Sequence, residues 1–116
     1  MGSGGSLISL AGTEWGYAGE TGKTSQFIQF RPDGTVVGFT GCNRFTGPYG
    51  QAGDALTIGP LATTRRACLP EVTKREKQFL GVLNQVRQVE GSRRVLKLKD
   101  ADGDILAELV RREPDK

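Results

Sequence analysis

Glycine divides the first half of this sequence into short segments. The chain has 116 residues and 17 glycines, most of them within the first 59, and between them lie brief runs of β-branched and aromatic residues. Such runs, too short for helices and bounded by residues that tolerate positive φ, are the signature of a β protein built from many short strands. Gln26-Phe27-Ile28-Gln29-Phe30 and Thr35-Val36-Val37-Gly38-Phe39 flank Arg31-Pro32-Asp33-Gly34, where proline presets φ and glycine takes the positive-φ place. That pattern predicts a hairpin. A second hairpin is predicted where Val95–Lys99 and Ile105–Leu109 flank Asp100-Ala101-Asp102-Gly103-Asp104. In its first strand Leu96 and Leu98 share one face and Lys97 and Lys99 the other. Shorter strands are expected around Trp15-Gly16-Tyr17, Leu56-Thr57-Ile58 and Val86 to Glu90.

One segment departs from the two-residue period. From Thr73, the apolar residues Phe79, Leu80, Leu83 and Val86 recur at helical spacing with charged residues between them, so a single amphipathic helix is predicted to run to about Gln85. Thr73-Lys74-Arg75-Glu76 fits a capping box, and Pro70 would end the preceding loop. An apolar stripe needs a surface to cover. A curved antiparallel sheet, partly barrel-like, closed over one helix is the economical α+β solution for a chain of this size. The length fits one domain, assigned to residues 7–111. Residues 1–6 have the composition of a linker or expression scar, and 112–116 form a polar tail.

Composition narrows the function. There is no histidine, which removes Ser-His-Asp and Cys-His catalysis and imidazole-based zinc sites. Lys and Arg number 16 against 13 Asp and Glu, and the basic excess lies after residue 62. Acidic residues are interspersed there and Phe79 is the only aromatic among the cations, so the pattern of a nucleic-acid surface is missing. No window is apolar enough for a membrane span. Membrane attachment would need an N-terminal anchor beyond what these residues supply.

Two motifs tempt and fail. Gly19-Glu20-Thr21-Gly22-Lys23-Thr24 ends like a phosphate-binding loop, but the glycine required five positions before Gly22 is Tyr17, and an alternating strand pattern follows instead of a helix. Asp100, Asp102 and Asp104 offer three carboxylates, yet the glycine and glutamate spacing of a calcium loop is absent; turn chemistry explains them better than an adventitious cation site. Arg65 and Arg66 beside Cys68 would depress a thiol pKa. Cys42 and Cys68 otherwise form either a structural disulfide or, in a reducing compartment, two small buried thiols.

The most informative stretch runs from Gly38 to Tyr49. It is expected to be a strand end entering a tight glycine-rich bend, with Phe39, Phe45 and Tyr49 anchoring it to the core. In that bend Asn43 would satisfy backbone amides and tie the bend to a neighbouring loop, a structural role favoured over a catalytic one. The residues Gly41-Cys42-Asn43-Arg44-Phe45-x-Gly47-x-Tyr49, then Leu56-x-Ile58, Thr64-Arg65-x-Ala67-Cys68, Glu76-x-x-Phe79-Leu80-x-x-Leu83 and Leu96-x-Leu98, together with Trp15, resemble the META domain, the family of HslJ-like heat-inducible bacterial envelope proteins.

The resemblance implies a small α+β domain without catalytic residues or cofactor. Its members are commonly secreted or tethered to the envelope as lipoproteins, and are associated with heat shock and antibiotic tolerance. Arg66 departs from the family pattern, standing where an apolar residue is common. On this basis the expected function is non-enzymatic binding, by a monomer in the periplasm, on the outer membrane or outside the cell, of an envelope protein or an apolar small ligand. The binding or structural motif comprises Gly41, Cys42, Asn43, Arg44, Phe45, Gly47, Tyr49, Thr64, Arg65 and Cys68. The alternatives are a small-barrel carrier of a lipid or hydrophobic peptide, and a proteinase inhibitor. For the last, Gly50-Gln51-Ala52-Gly53-Asp54 is too flexible in composition to serve as a rigid inhibitory loop.

Overall fold

The computed structural model describes residues 9–112. Nine strands and one helix follow one another as β1 (Thr13–Gly16), β2 (Phe27–Phe30), β3 (Thr35–Phe39), β4 (Arg44–Ala52), β5 (Ala55–Ile58), β6 (Ala62–Thr63), α1 (Pro70–Gln85), β7 (Gln88–Gly91), β8 (Val95–Lys99) and β9 (Ile105–Arg112). All pairings are antiparallel. Following them from β1 through β2, β3, β4, β5, β7, β8 and β9 returns to β1, so eight strands close a ring. The ninth, β6, lies on the half of β4 that β5 does not reach: β5 pairs with Tyr49–Ala52, β6 with Phe45 and Thr46. The ring is weakest between β5 and β7. There a single register pair, Ala55 with Gln88, is supported by Leu56 N donating to Arg87 O (2.9 Å) and Val89 N to Asp54 O (2.8 Å).

Alternation decides what fills the ring. Trp15, Ile28, Phe30, Val36, Phe45, Leu56, Val89, Leu96, Leu98 and Leu109 point inward and are buried, while their strand neighbours face out. Both predicted hairpins form, with Gly34 at φ 89° in the first turn. In the second turn Asp100 Oδ1 accepts from the amides of Asp102 (2.9 Å) and Asp104 (3.0 Å). Helix α1 is tied to the rim of the ring through Gln26, Thr40 and Asn43 and packs against β5. Phe79 and Leu83 enter the core. The Phe79 ring meets Tyr17 edge-on at 5.6 Å and Phe45 at 5.8 Å.

Several local expectations are corrected. The helix starts three residues earlier than expected, because Pro70 occupies its first turn, where a fixed φ and a missing N–H suit a helix start; Leu69 is the N-cap and supplies no side-chain cap. The capping box at Thr73 and Glu76 is therefore not made. At the other end Val86 is the C-cap, and β7 begins at Gln88. The bend after β3 is only Thr40–Asn43; from Arg44 the chain runs as a nine-residue strand through Gly47 and Gly50. Gly47 serves close approach instead of turning: a Cβ there would lie 2.5 Å from Pro60 O. Gly50 to Ala52 are likewise strand and not loop.

Arg112, expected in the tail, ends β9, with its guanidinium 3.3 Å from Glu14 Oε2 and stacked 4.9 Å from the Phe27 ring centroid. The linker residues 1–6 and the tail beyond Arg112 lie outside the described residues.

Candidate functional site

The bend between β3 and β4 is organised around polar side chains that are themselves buried. Gly41 holds φ at 96°, a value that an L side chain rarely adopts, and this lets the chain reverse within three residues. Thr40 Oγ1 accepts the amides of Cys42 (3.1 Å) and Asn43 (2.8 Å), and Thr40 N donates to Asn43 O (2.8 Å). From this fixed base the Asn43 side chain reaches across to two other segments. Its Oδ1 accepts Thr64 Oγ1 (2.8 Å) and the Arg66 amide (2.6 Å), and its Nδ2 donates to Glu76 Oε2 on α1 (2.8 Å). The same Glu76 oxygen accepts Thr40 Oγ1 at 2.8 Å.

Asn43 is 4% exposed and Thr40 fully buried, so the knot has the satisfied polar groups that burial demands. A neighbouring tie completes it: Gln26 Nε2 donates to Thr40 O (2.6 Å) and Arg75 O (3.3 Å), fastening the rim of the ring to the helix. Glu20, from the segment that imitated a phosphate loop, accepts the Gln26 amide (2.7 Å) and pairs with Arg75. Strand β2 follows that segment, as its alternation predicted.

Cys42 and Cys68 are bonded to each other, with Cα atoms 6.1 Å apart. The bond pins the far end of segment 62–68. Of the residues singled out from the sequence, Gly41, Cys42, Asn43, Arg44, Thr64, Arg65 and Cys68 come together here. Phe45 belongs to the core, and Gly47 and Tyr49 lie further along β4. The Tyr49 ring packs edge-on against Phe30 at 5.0 Å, and its hydroxyl donates to Arg31 O at 3.0 Å. Arg44 and Arg65 are exposed. The departure at Arg66 is harmless to packing: its side chain is exposed and only its backbone engages Asn43.

Sequence reasoning missed Glu76, Thr40 and Gln26. Glu76 was legible as a helix carboxylate, but was assigned to its own helix's amides instead of a partner 33 residues away.

The interior of the ring is filled by side chains, so the accessible concavities lie on the surface. A groove of about 410 Å³ on the outer face is lined by Phe27, Val37, Arg44, Thr46, Ala62 and Thr63 among others. A second, of about 390 Å³, lies between α1 and the β5–β6 connection. A third, of about 410 Å³, adjoins Asn43, Arg65 and Glu76. The Asp100, Asp102 and Asp104 oxygens lie within 4.8 Å of one another in their turn. Among the described residues no helix is long and apolar enough to cross a membrane.

The model of the META domain matches residues 7–113. The chain belongs to the META domain family. No curated protein matches it. Among solved structures, this META domain is similar to a protein from Burkholderia xenovorans determined by NMR, 23% identical with a TM-score of 0.72, covering 90% of this chain and 85% of that one. It is also similar to a further NMR structure, 23% identical with a TM-score of 0.63, covering 89% and 90%. A DUF4847 family protein from Bacteroides vulgatus is 18% identical with a TM-score of 0.58, covering 78% of this chain and 60% of that protein. At these identities the likeness is one of fold. The disulfide of this META domain is compatible with an oxidising compartment such as the periplasm or the cell exterior.

Proposed function

We propose that this META domain is a non-enzymatic binding module of the bacterial envelope or the secreted space, HslJ-like in role, that serves tolerance of stresses such as heat or antibiotics. One observation carries the reading: residues 62–67 are exposed, yet they are held by β4, by the Asn43 side chain and by the Cys42–Cys68 bond. Ordering a loop costs about 1–2 kcal/mol per residue in backbone entropy. A segment ordered in advance and left open to solvent is preorganised for recognition. Catalysis is less well supported. Glu76 is engaged with Thr40 and Asn43, and the two sulfurs are bonded to each other, so neither a base nor a thiol nucleophile stands ready at this site.

The test is genetic complementation of a deletion strain with a form carrying Arg44→Glu and Arg65→Glu, both exposed positions outside the buried knot. Heat and antibiotic survival is expected to fall to the level of the deletion strain while the protein accumulates normally. Survival equal to that with the unaltered protein overturns the surface role.

The apolar outer groove lined by Phe27, Val37 and Ala62 favours a second reading, an apolar small ligand held on the outer face, since the ring's interior is full. An anilinonaphthalene dye would then bind the protein and be lost on Val37→Asp. An unaltered protein that fails to bind the dye ends that reading.

A further inference from the structure

Among the described residues, the alternation of hydrogen bonds along segment 62–66 leaves one edge of the sheet unpaired. Thr64 N donates to Arg44 O at 3.0 Å, and the next residue of the same parity, Arg66, is gripped at its amide and carbonyl by the two ends of the Asn43 side-chain amide (2.6 and 3.5 Å). The side chain of Asn43 thus prolongs the β4–β6 ladder by one residue. Because successive residues of a strand point their amides and carbonyls to opposite sides, those of Thr63 and Arg65 face away from β4. This unpaired edge borders a channel whose other wall is α1.

Leu80 lines both of the grooves that meet there, with Ile58, Leu61, Gly81 and Asn84 toward one end and Arg65, Arg66 and Glu76 toward the other. Two further facts distinguish the channel from an ordinary crevice. Gly81 sits in the interior of the helix, where glycine is costly, although a Cβ there would meet nothing nearer than Gln85 Nε2 at 3.8 Å. Packing within the domain does not require it, and its missing side chain keeps the channel wide. Arg65 and Arg66 are exposed and make no ion pair among the described residues.

We propose that an extended acidic peptide segment of a partner protein adds as a strand to the Thr63–Arg65 edge. Its alternate apolar side chains lie over Leu61 and Leu80, and its carboxylates meet Arg65 and Arg66. The proposal rests on the binding reading above and names the partner of that same surface. Main-chain hydrogen bonds supply affinity in such strand addition, and the flanking pockets and charges supply sequence preference. The outer groove, on the other face of β6, offers apolar contacts but no free backbone edge, which is why an extended peptide is assigned to the channel.

The experiment is selection of random linear dodecapeptides on the intact, oxidised domain, followed by titration of an enriched peptide, fluorescently labelled, by anisotropy. Enriched sequences are expected to alternate apolar residues and to carry Asp or Glu. Binding should weaken at least tenfold on Arg65→Glu with Arg66→Glu, which alters only exposed side chains, and on Gly81→Leu, which fills the channel. Gly81→Ala should melt no lower than the unaltered domain, showing that this helix position tolerates a side chain. N-methylation of alternate peptide amides should abolish binding in one register and spare it in the other, and the Thr63 and Arg65 amides should become protected from hydrogen exchange in the complex.

Failure to enrich any peptide, indifference to N-methylation, or protection mapped to Phe27 and Val37 instead overturns the proposal. Peptides that map to the outer face remove strand addition and leave a binding role intact. A charge-reversed form that complements fully removes the stress role whatever the peptides do.

Discussion

Asn43 and Glu76 show how a residue's type can be evident while its task is not. An asparagine in a glycine-rich bend is expected to satisfy amides, and it does, but its side chain joins three segments that the sequence separates by up to 33 residues. Asn43→Ala would leave the Arg66 amide and one Glu76 contact unmet in a partly buried setting, and is expected to cost about 1–3 kcal/mol in urea unfolding. Asn43→Asp keeps the shape but replaces the donor to Glu76 with a second carboxylate oxygen, so it should be the more destabilising of the two. Such an order would not arise if Asn43 acted by shape alone. Tyr17 carries a pH signature. Burial, then the nearby Glu20 carboxylate, raises its phenol above the usual 10.0, against a smaller lowering by Arg75. The folded state therefore favours the protonated phenol. That share of stability is complete below pH 10 and is lost as pH rises through the raised value, so Tyr17→Phe should flatten the alkaline limb of a stability–pH curve.

At the scale of elements, local pattern was a good guide wherever one face of a segment meets the core. Both hairpins and the helix stripe follow from it, because alternation and helical spacing are properties of contiguous residues. Strand β4 was obscured by Gly47 and Gly50; Gly47 admits the Pro60–Leu61 segment and does not bend the chain, and Gly50 lies in an unbroken strand. The helix start was misplaced because a good capping-box pattern competed with a proline already seated in the first turn. The Cys42–Cys68 bond, spanning 26 residues, ties the bend to the segment that leads into α1. The loop-entropy model gives it about 3.5 kcal/mol. Joint replacement, Cys42→Ala with Cys68→Ala, should lower unfolding stability by about that much with far-ultraviolet circular dichroism preserved. A much smaller loss would mean that the unfolded chain without the bond already holds residues 42 and 68 near one another.

For the whole molecule, closure of the ring is the decisive event, and its strength is uneven. Strands β8 and β9 share five register pairs, whereas β5 and β7 share one. Native-state hydrogen exchange should accordingly find the Leu56 and Val89 amides opening locally, with the amides that join β8 to β9 exchanging only on global unfolding. Equal protection at both places would contradict a weak seam. Seven of the nine strands, the one helix, the core faces of both hairpins' strands and of the helix, and membership of a family with this fold were legible in the sequence, since each is written in short-range periodicity or in a contiguous motif; β4 and β6 were not. Tertiary structure alone decided that β1 meets β9 and β3 meets β4, that Glu76 belongs to Asn43, which of the open alternatives the cysteines adopt, and that β6, paired with β4 alone among the described residues, runs beside the helix. Those outcomes depend on pairings between distant residues, which local periodicity leaves open and which burial of the shared core and satisfaction of buried polar groups together select.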